Sequence, residues 1–184
     1  MAIEDAGPSY HNEDSEIYAI GLTDPPSNQM WIGDSGATEH ATPDLANFIS
    51  YVTLNPPSRV RVANNSYMEA VGTGTVALEV QRPEGGWIPM ILEGVLHIPA
   101  MTANFVSLST LAKNGAHITM TQENLQISKG GDNPIVMHLN GKLYSFIGRR
   151  LSSEGPVAEV LRAQGYAFGD PGVSQIQITV ARSC

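Results

Sequence analysis

The sequence predicts an all-β domain, either a small barrel or a sandwich, on three observations. Apolar residues recur in short runs rich in Val, Ile and Thr, turn-forming residues separate those runs, and one segment alone carries convincing helical spacing. A βαβ array would instead place helical patterns between successive strands. At 184 residues, with 42% hydrophobic and 15% charged residues, the chain has the balance of a single folded domain with a proper core.

Residues 1–15 are polar and acidic, with Gly, Pro, Ser and Asn, and read as a disordered leader. Glu16 to Leu22 alternates as a strand does, and Thr23 to Asn28, with Pro25-Pro26, is a loop. Strands are then expected over Met30–Ile32, Ser58–Val62, Tyr67–Val71, Thr75–Val80, Trp87–Leu92, Val95–Ile98, His117–Thr121, Leu125–Ser128 and Leu143–Ile147. Turns fall at Asn64-Asn65, at Arg82 to Gly86, at Gln122 to Asn124 and at Asn140-Gly141. The helix is expected over Asn104–Asn114: Phe105, Leu108, Leu111 and Ala112 share a face, and Asn114-Gly115 is a C-terminal stop. A shorter helical turn is expected near Pro43 to Phe48. The domain therefore spans 16–150. Residues 151–184 form a tail of different character, with a linker at Ser152 to Pro156, a short amphipathic helix over Val157–Gln164 and an edge strand over Gln175–Val180.

Charge and cysteine content narrow the function classes. A formal charge of −8, with local basic character only at Arg59-Val60-Arg61 and Arg149-Arg150, argues against a stand-alone nucleic-acid binder, which needs clustered Lys and Arg. The one cysteine, Cys184, allows neither a disulfide framework nor a Cys-based metal site within one chain, and fits a reducing compartment. Neither a signal-peptide pattern nor a run of about 18 apolar residues occurs, so a cytoplasmic location is expected and the Asn64-Asn65-Ser66 sequon reads as a turn.

The stretch Trp31 to Thr38 carries the chemistry. It sets Asp34 on a glycine turn straight after an apolar run: Gly36 removes a Cβ that would block close approach, and the Ser35 and Thr38 hydroxyls can hold the turn. No second Asp-Ser-Gly or Asp-Thr-Gly occurs, and no internal repeat is visible. A mechanism with two carboxylates sharing one proton must therefore take the second from another copy across a two-fold axis. His40 could be a general base, but without a Ser or Cys nucleophile motif or metal-ligand spacing nearby it reads as a structural histidine bonded to backbone. His97, His117 and His138 sit singly in strand-like runs and form no zinc cluster.

Four motifs in order, Trp31-x-x-Asp34-Ser35-Gly36-Ala37-Thr38-x-His40, Val71 to Val76, Val95-Leu96-His97-Ile98-Pro99 and Asn104 to Leu108, resemble the protease region of copia-type retrotransposon polyproteins over residues 30–147. Two departures are visible: Gly33 stands where the pattern more often has an apolar residue, and Phe105-Val106 where it usually reads Leu-Leu. The resemblance implies a retropepsin-like acid-protease barrel with one short helix in its C-terminal half, working as a homodimer on a Gag-Pol-like polyprotein or peptide, in a virus-like particle if the element is active. It implies Asp34 as the catalytic residue, no metal or cofactor, and no direct contact with nucleic acid or membrane. Ser35, Gly36, Ala37 and Thr38 would form the active-site loop, with Ser35 bonding across the dimer. A flap over the cleft is also implied. Two hairpin positions compete for it: Ala63, Asn64 and Asn65, favoured as the tip, and Gly72, Thr73 and Gly74, expected alongside in the returning strand. Two other functions fit the same residues, a domesticated module for dimerisation or peptide binding, and a small-molecule acid–base enzyme reusing the dyad.

Overall fold

A computed structural model describes residues 29–63, 65–130, 134–166 and 168. The expected leader, the strand over 16–22, the loop at 23–28, the edge strand over 175–180, Asn64 and Cys184 lie outside the described residues.

The chain is mostly β. In order it forms β1 (Met30–Asp34), β2 (Ala41–Thr42), a turn of 3-10 helix (Leu45–Asn47), β3 (Phe48–Arg61), β4 (Tyr67–Gln81), β5 (Trp87–His97) and β6 (Asn104–Ser107), then α1 (Leu108–Lys113). There follow β7 (His117–Met120), β8 (Asn124–Ser128), β9 (Ile135–Asn140), β10 (Leu143–Arg150) and α2 (Pro156–Ala163). Strands β4, β5, β2, β6, β1 and β10 neighbour one another in that order, and β10 also pairs with β4, which closes a barrel. Closure removes the free edges that an open sheet would expose. Strand β3 lies outside the ring on β4, and β9, β8 and β7 run outward from β10 as a three-stranded wing.

Inward-facing residues of several strands make one core. Trp31, Val76, Leu78, Val80, Leu92, Val95, Val106 and Phe146 are buried with Leu125, Ile127 and Met137 of the wing. Each large side chain buried this way contributes about 1.5–3 kcal/mol. A second cluster lies at α2, whose Leu161 packs with Ile49, Ala77 and Leu151. The Leu151 N–H donates to the Ala77 carbonyl at 2.9 Å, and Tyr166 Oη donates to Glu93 Oε1 at 2.6 Å. Residues 151–166 thus lie against β4 and β5, with the expected helix observed one residue earlier than predicted, at Pro156–Ala163.

Four sequence expectations need correction. The helix does not begin at Asn104: residues 104–107 are a strand parallel to β1, with Phe105 opposite Ile32, and helix starts only at Leu108. That pairing supplies backbone bonds that local periodicity does not reveal. Strand β3 starts at Phe48 rather than Ser58; Pro56 and Pro57 fall in a register shift between Thr53 and Ser58 on an edge strand, where proline is tolerated. The paired runs at 67–80 and 87–98 are two continuous strands, β4 and β5. Finally, β9 has no counterpart in the expected pattern, because between two partners its burial does not alternate.

Strand β4 runs unbroken through Gly72 and Gly74 because β3 crosses them closely. A Cβ at Gly72 would sit 2.1 Å from Tyr51 Oη, and one at Gly74 would sit 2.0 Å from the Ser50 carbonyl oxygen. A ring can move where backbone cannot. Both Gly72→Ala and Gly74→Ala are therefore expected to lower the urea midpoint, with overpacking costs of about 1–3 kcal/mol. In a Tyr51→Ala background the added cost at Gly72 should vanish and that at Gly74 should persist; equal persistence would contradict the assignment.

Candidate active site

Asp34 is the last residue of β1 and pairs with Ser107, the last residue of β6 and N-cap of α1. The chain then turns away from the sheet, with Asp34 and Ala37 half-buried and Ser35, Gly36 and Thr38 exposed. The Gly36 N–H donates to Asp34 Oδ1 at 2.7 Å, which fixes one carboxylate oxygen on the turn. A cluster of hydroxyls ties the rest of the loop to α1. Ser107 Oγ donates to the Ala37 carbonyl at 2.7 Å, Ser109 Oγ to the same carbonyl at 3.0 Å, and Thr110 Oγ1 to the Thr38 carbonyl at 2.7 Å. Ser107 Oγ also accepts the Thr110 N–H at 3.1 Å, capping the helix. The Ala37 and Thr38 carbonyls therefore have fixed partners.

His40 secures the far end of the loop. It is buried, its Nδ1 accepts the Ser107 backbone N–H at 3.0 Å, and its carbonyl accepts the Leu96 N–H at 2.9 Å. Burial lowers its pKa from 6.5 to about 4, so the ring is neutral near neutrality and protonated on Nε2. This is the structural histidine expected from the sequence. Beside it, Thr42 Oγ1 donates to Asn104 Oδ1 at 2.6 Å and accepts from Asn47 Nδ2 at 3.0 Å, while Asn104 Nδ2 donates to the Met30 carbonyl at 2.9 Å. A satisfied buried network of this kind fixes one arrangement of β1, β2 and β6.

The β3–β4 hairpin projects from the barrel as an arm. Its tip closes with Val62 N–H to Ser66 carbonyl at 3.0 Å and Asn65 N–H to Val62 carbonyl at 2.9 Å; Asn65 has φ 65, a conformation asparagine tolerates. Ala63 lies in this turn. The arm's inner face is apolar: Leu54, Val60, Met68 and Ala70 cluster with Ala41, Leu96, Ile98 and Met101 of the barrel. Gly72, Thr73 and Gly74 are not at the tip. They lie at the arm's root in β4, paired with β3 on one side and β5 on the other, and the β4–β5 register shifts between Gly74 and Val76.

The root also holds Tyr51, which the sequence reading passed over, against His97. Tyr51 Oη lies 2.9 Å from His97 Nδ1, and Phe48, Tyr51 and His97 make mutual edge contacts. Burial lowers the His97 pKa, against the opposing effects of a bond to the Pro43 carbonyl and the nearby Asp44 carboxylate. Ser107, Ser109 and Thr110 were also missed; the Ser-x-x-Thr spacing at a helix start was the available signal. Among the described residues no group of three or more His, Cys, Asp or Glu could hold a metal ion, and no helix is long and apolar enough to cross a membrane. A groove of about 390 Å³ lined by Met30, Arg82, His138 and Phe146 lies away from Asp34.

Residues 31–116 match the family described as "Pol polyprotein, beta-barrel domain", a description that specifies a barrel and no activity. The chain is 28% identical over 109 residues, 59% of its length, to the retrovirus-related Pol polyprotein from transposon RE1 of Arabidopsis thaliana. It is 27% identical over 119 residues, 65% of its length, to that from transposon TNT 1-94 of Nicotiana tabacum. The matches span only 7% and 8% of those relatives. No solved structure matches.

The His40 geometry predicts an acid-sensitive fold. Its pKa is lowered on folding, so its contribution is fully present above 6.5 and is lost as pH falls from 6.5 through about 4. The full loss is about 3 kcal/mol, at about 1.4 kcal/mol per pKa unit. Unfolding free energy measured by urea titration should fall across that window in the wild type. His40→Asn, which keeps an acceptor but cannot protonate there, should flatten the profile; an unchanged slope would assign the acid sensitivity elsewhere.

Proposed function

We propose, from the premise that the chain is related to the Pol polyproteins of copia-like transposons, that it is a retropepsin-type aspartic endopeptidase acting as a homodimer on a Gag-Pol-like polyprotein. The observation that carries this reading is the seating of Asp34: a half-buried carboxylate at a barrel strand's end, on a turn clamped by three hydroxyls. A turn that only connected strands would not need that clamp.

In this reading a second copy brings its own Asp34 to hydrogen-bond distance, and the pair shares one proton because two like charges so close cannot both ionise. The ionised carboxylate takes a proton from a water as it attacks the peptide carbonyl; the protonated one stabilises the oxyanion and then assists the leaving amine. Neither step requires a metal or cofactor. Ser35, exposed in one chain, bonds across to the facing loop. The hairpin tip with Ala63, Asn65 and Ser66 is the flap, and Gly72 to Gly74 form its root. The substrate lies extended beneath the arm with apolar side chains towards Leu54 and Met68 of the arm and Leu96 and Met101 of the barrel. Processing takes place inside the cell, in a particle assembled from the element's own products.

A non-catalytic module kept for dimerisation is the second reading, favoured by one observation: in the single chain the arm's apolar face already packs on Ile98 and Met101. Such a module would not need to open the arm.

The proposed enzyme makes a joint expectation. Sedimentation should show a dimer, and activity per chain should rise with dimer fraction. Asp34→Asn should abolish cleavage of a denatured Gag-like precursor while leaving the unfolding midpoint near wild type, since it removes the proton acceptor and conserves shape. Ser35→Ala should weaken the dimer by about 1 kcal/mol for each hydrogen bond lost. An active monomer, or wild-type processing by the Asn variant, would contradict the dyad.

A further inference from the structure

Gly33 immediately precedes Asp34 and lies opposite Val106 in the β1–β6 pairing. By the two-residue alternation of a strand it shares a face with Trp31, so its missing side chain is on the core side. That space is taken by another part of the chain. A Cβ on Gly33 would lie 2.8 Å from Met137 Sδ, 3.0 Å from Met137 Cε and 3.4 Å from Leu108 Cδ2. Met137 is fully buried in β9, opposite Leu125 of β8, within the wing that follows the segment matching the family.

We propose that Met137 is a positioning residue for Asp34: it fills the space Gly33 leaves and fixes the height of the peptide that carries the catalytic carboxylate. This rests on the aspartic-protease reading. Strand β1 is bonded on one edge to β6 and on the other to β10, which restrains it within the sheet. Motion of the 33–34 peptide towards the core is opposed by packing, and at Gly33 that packing is the Met137 thioether together with Leu108, the first residue of α1. An unbranched thioether suits such a gap. The same contact joins the wing to the active-site loop, so β7, β8 and β9 do more than extend the sheet.

The test uses the full 184-residue chain with four variants: Met137→Ala, Met137→Leu, Gly33→Val with Met137→Ala, and Ile135→Ala as a control on the same strand. Peptide kinetics and urea unfolding are measured for each. A carboxylate displaced by about 1 Å should cost kcat about 10- to 100-fold in Met137→Ala with KM unchanged, because the arm that binds substrate is untouched. Met137→Leu should stay near wild type, and the double variant should recover kcat by restoring the volume from the other side. Ile135→Ala should lose stability and keep its kcat. An unchanged kcat in Met137→Ala, a loss that Ile135→Ala matches, or a double variant no better than Met137→Ala would overturn the proposal. If the wild type cuts no peptide, the protease reading fails by itself. Hydrogen exchange at the Asp34 and Gly36 amides then decides the contact: faster exchange in Met137→Ala but not in Ile135→Ala supports it, and equal exchange in the two refutes it.

Discussion

The parallel pairing of β1 with β6 is the constraint on which the rest of the structure depends. It sets Asp34 beside Ser107, and with that register given, the first turn of α1 has its hydroxyls under the loop that leaves Asp34. A one-residue slip of either strand would reverse that strand's faces, taking Trp31 or Val106 out of the core. The Thr42, Asn104 and Asn47 network makes such a slip costly, since it would leave several buried polar groups unpaired. His40 adds a bond that exists only while its ring is neutral.

Barrel closure and the site are one piece of construction. Because β10 joins both β1 and β4, the strand carrying Asp34 and the strand forming half of the arm are fixed relative to each other through a single shared neighbour. The arm itself is long and mostly exposed, held down by an apolar inner face and, at its root, by Tyr51 lying over Gly72 against His97. Such an element has few buried contacts per residue along its outer half, the condition under which local opening is least costly.

Much of this was legible in the sequence because it is local. Turn residues, alternating runs and the Asp34-Ser35-Gly36 turn each announce themselves within a few positions, as do the hairpin tip at Asn65 and the helix stop at Asn114-Gly115. What was not legible depends on partners far along the chain. Phe105 has helical spacing to Leu108 yet lies in a strand, because β1 and β2 flank it. The strand expected to begin at Ser58 begins at Phe48, because an edge strand passes through Pro56-Pro57. The clamp of Ser107, Ser109 and Thr110 joins positions about 70 residues from the loop it holds, and the fit of Met137 to Gly33 spans more than 100.

The central claim is that two copies of Asp34 make one site. Calorimetric titration with a transition-state mimic that places a hydroxyl between the two carboxylates tests it most directly. The account predicts one mimic bound per two chains, with binding strongest on the acid side, where one proton remains on the pair, and abolished by Asp34→Asn. One mimic per chain, or binding that survives Asp34→Asn, would contradict it.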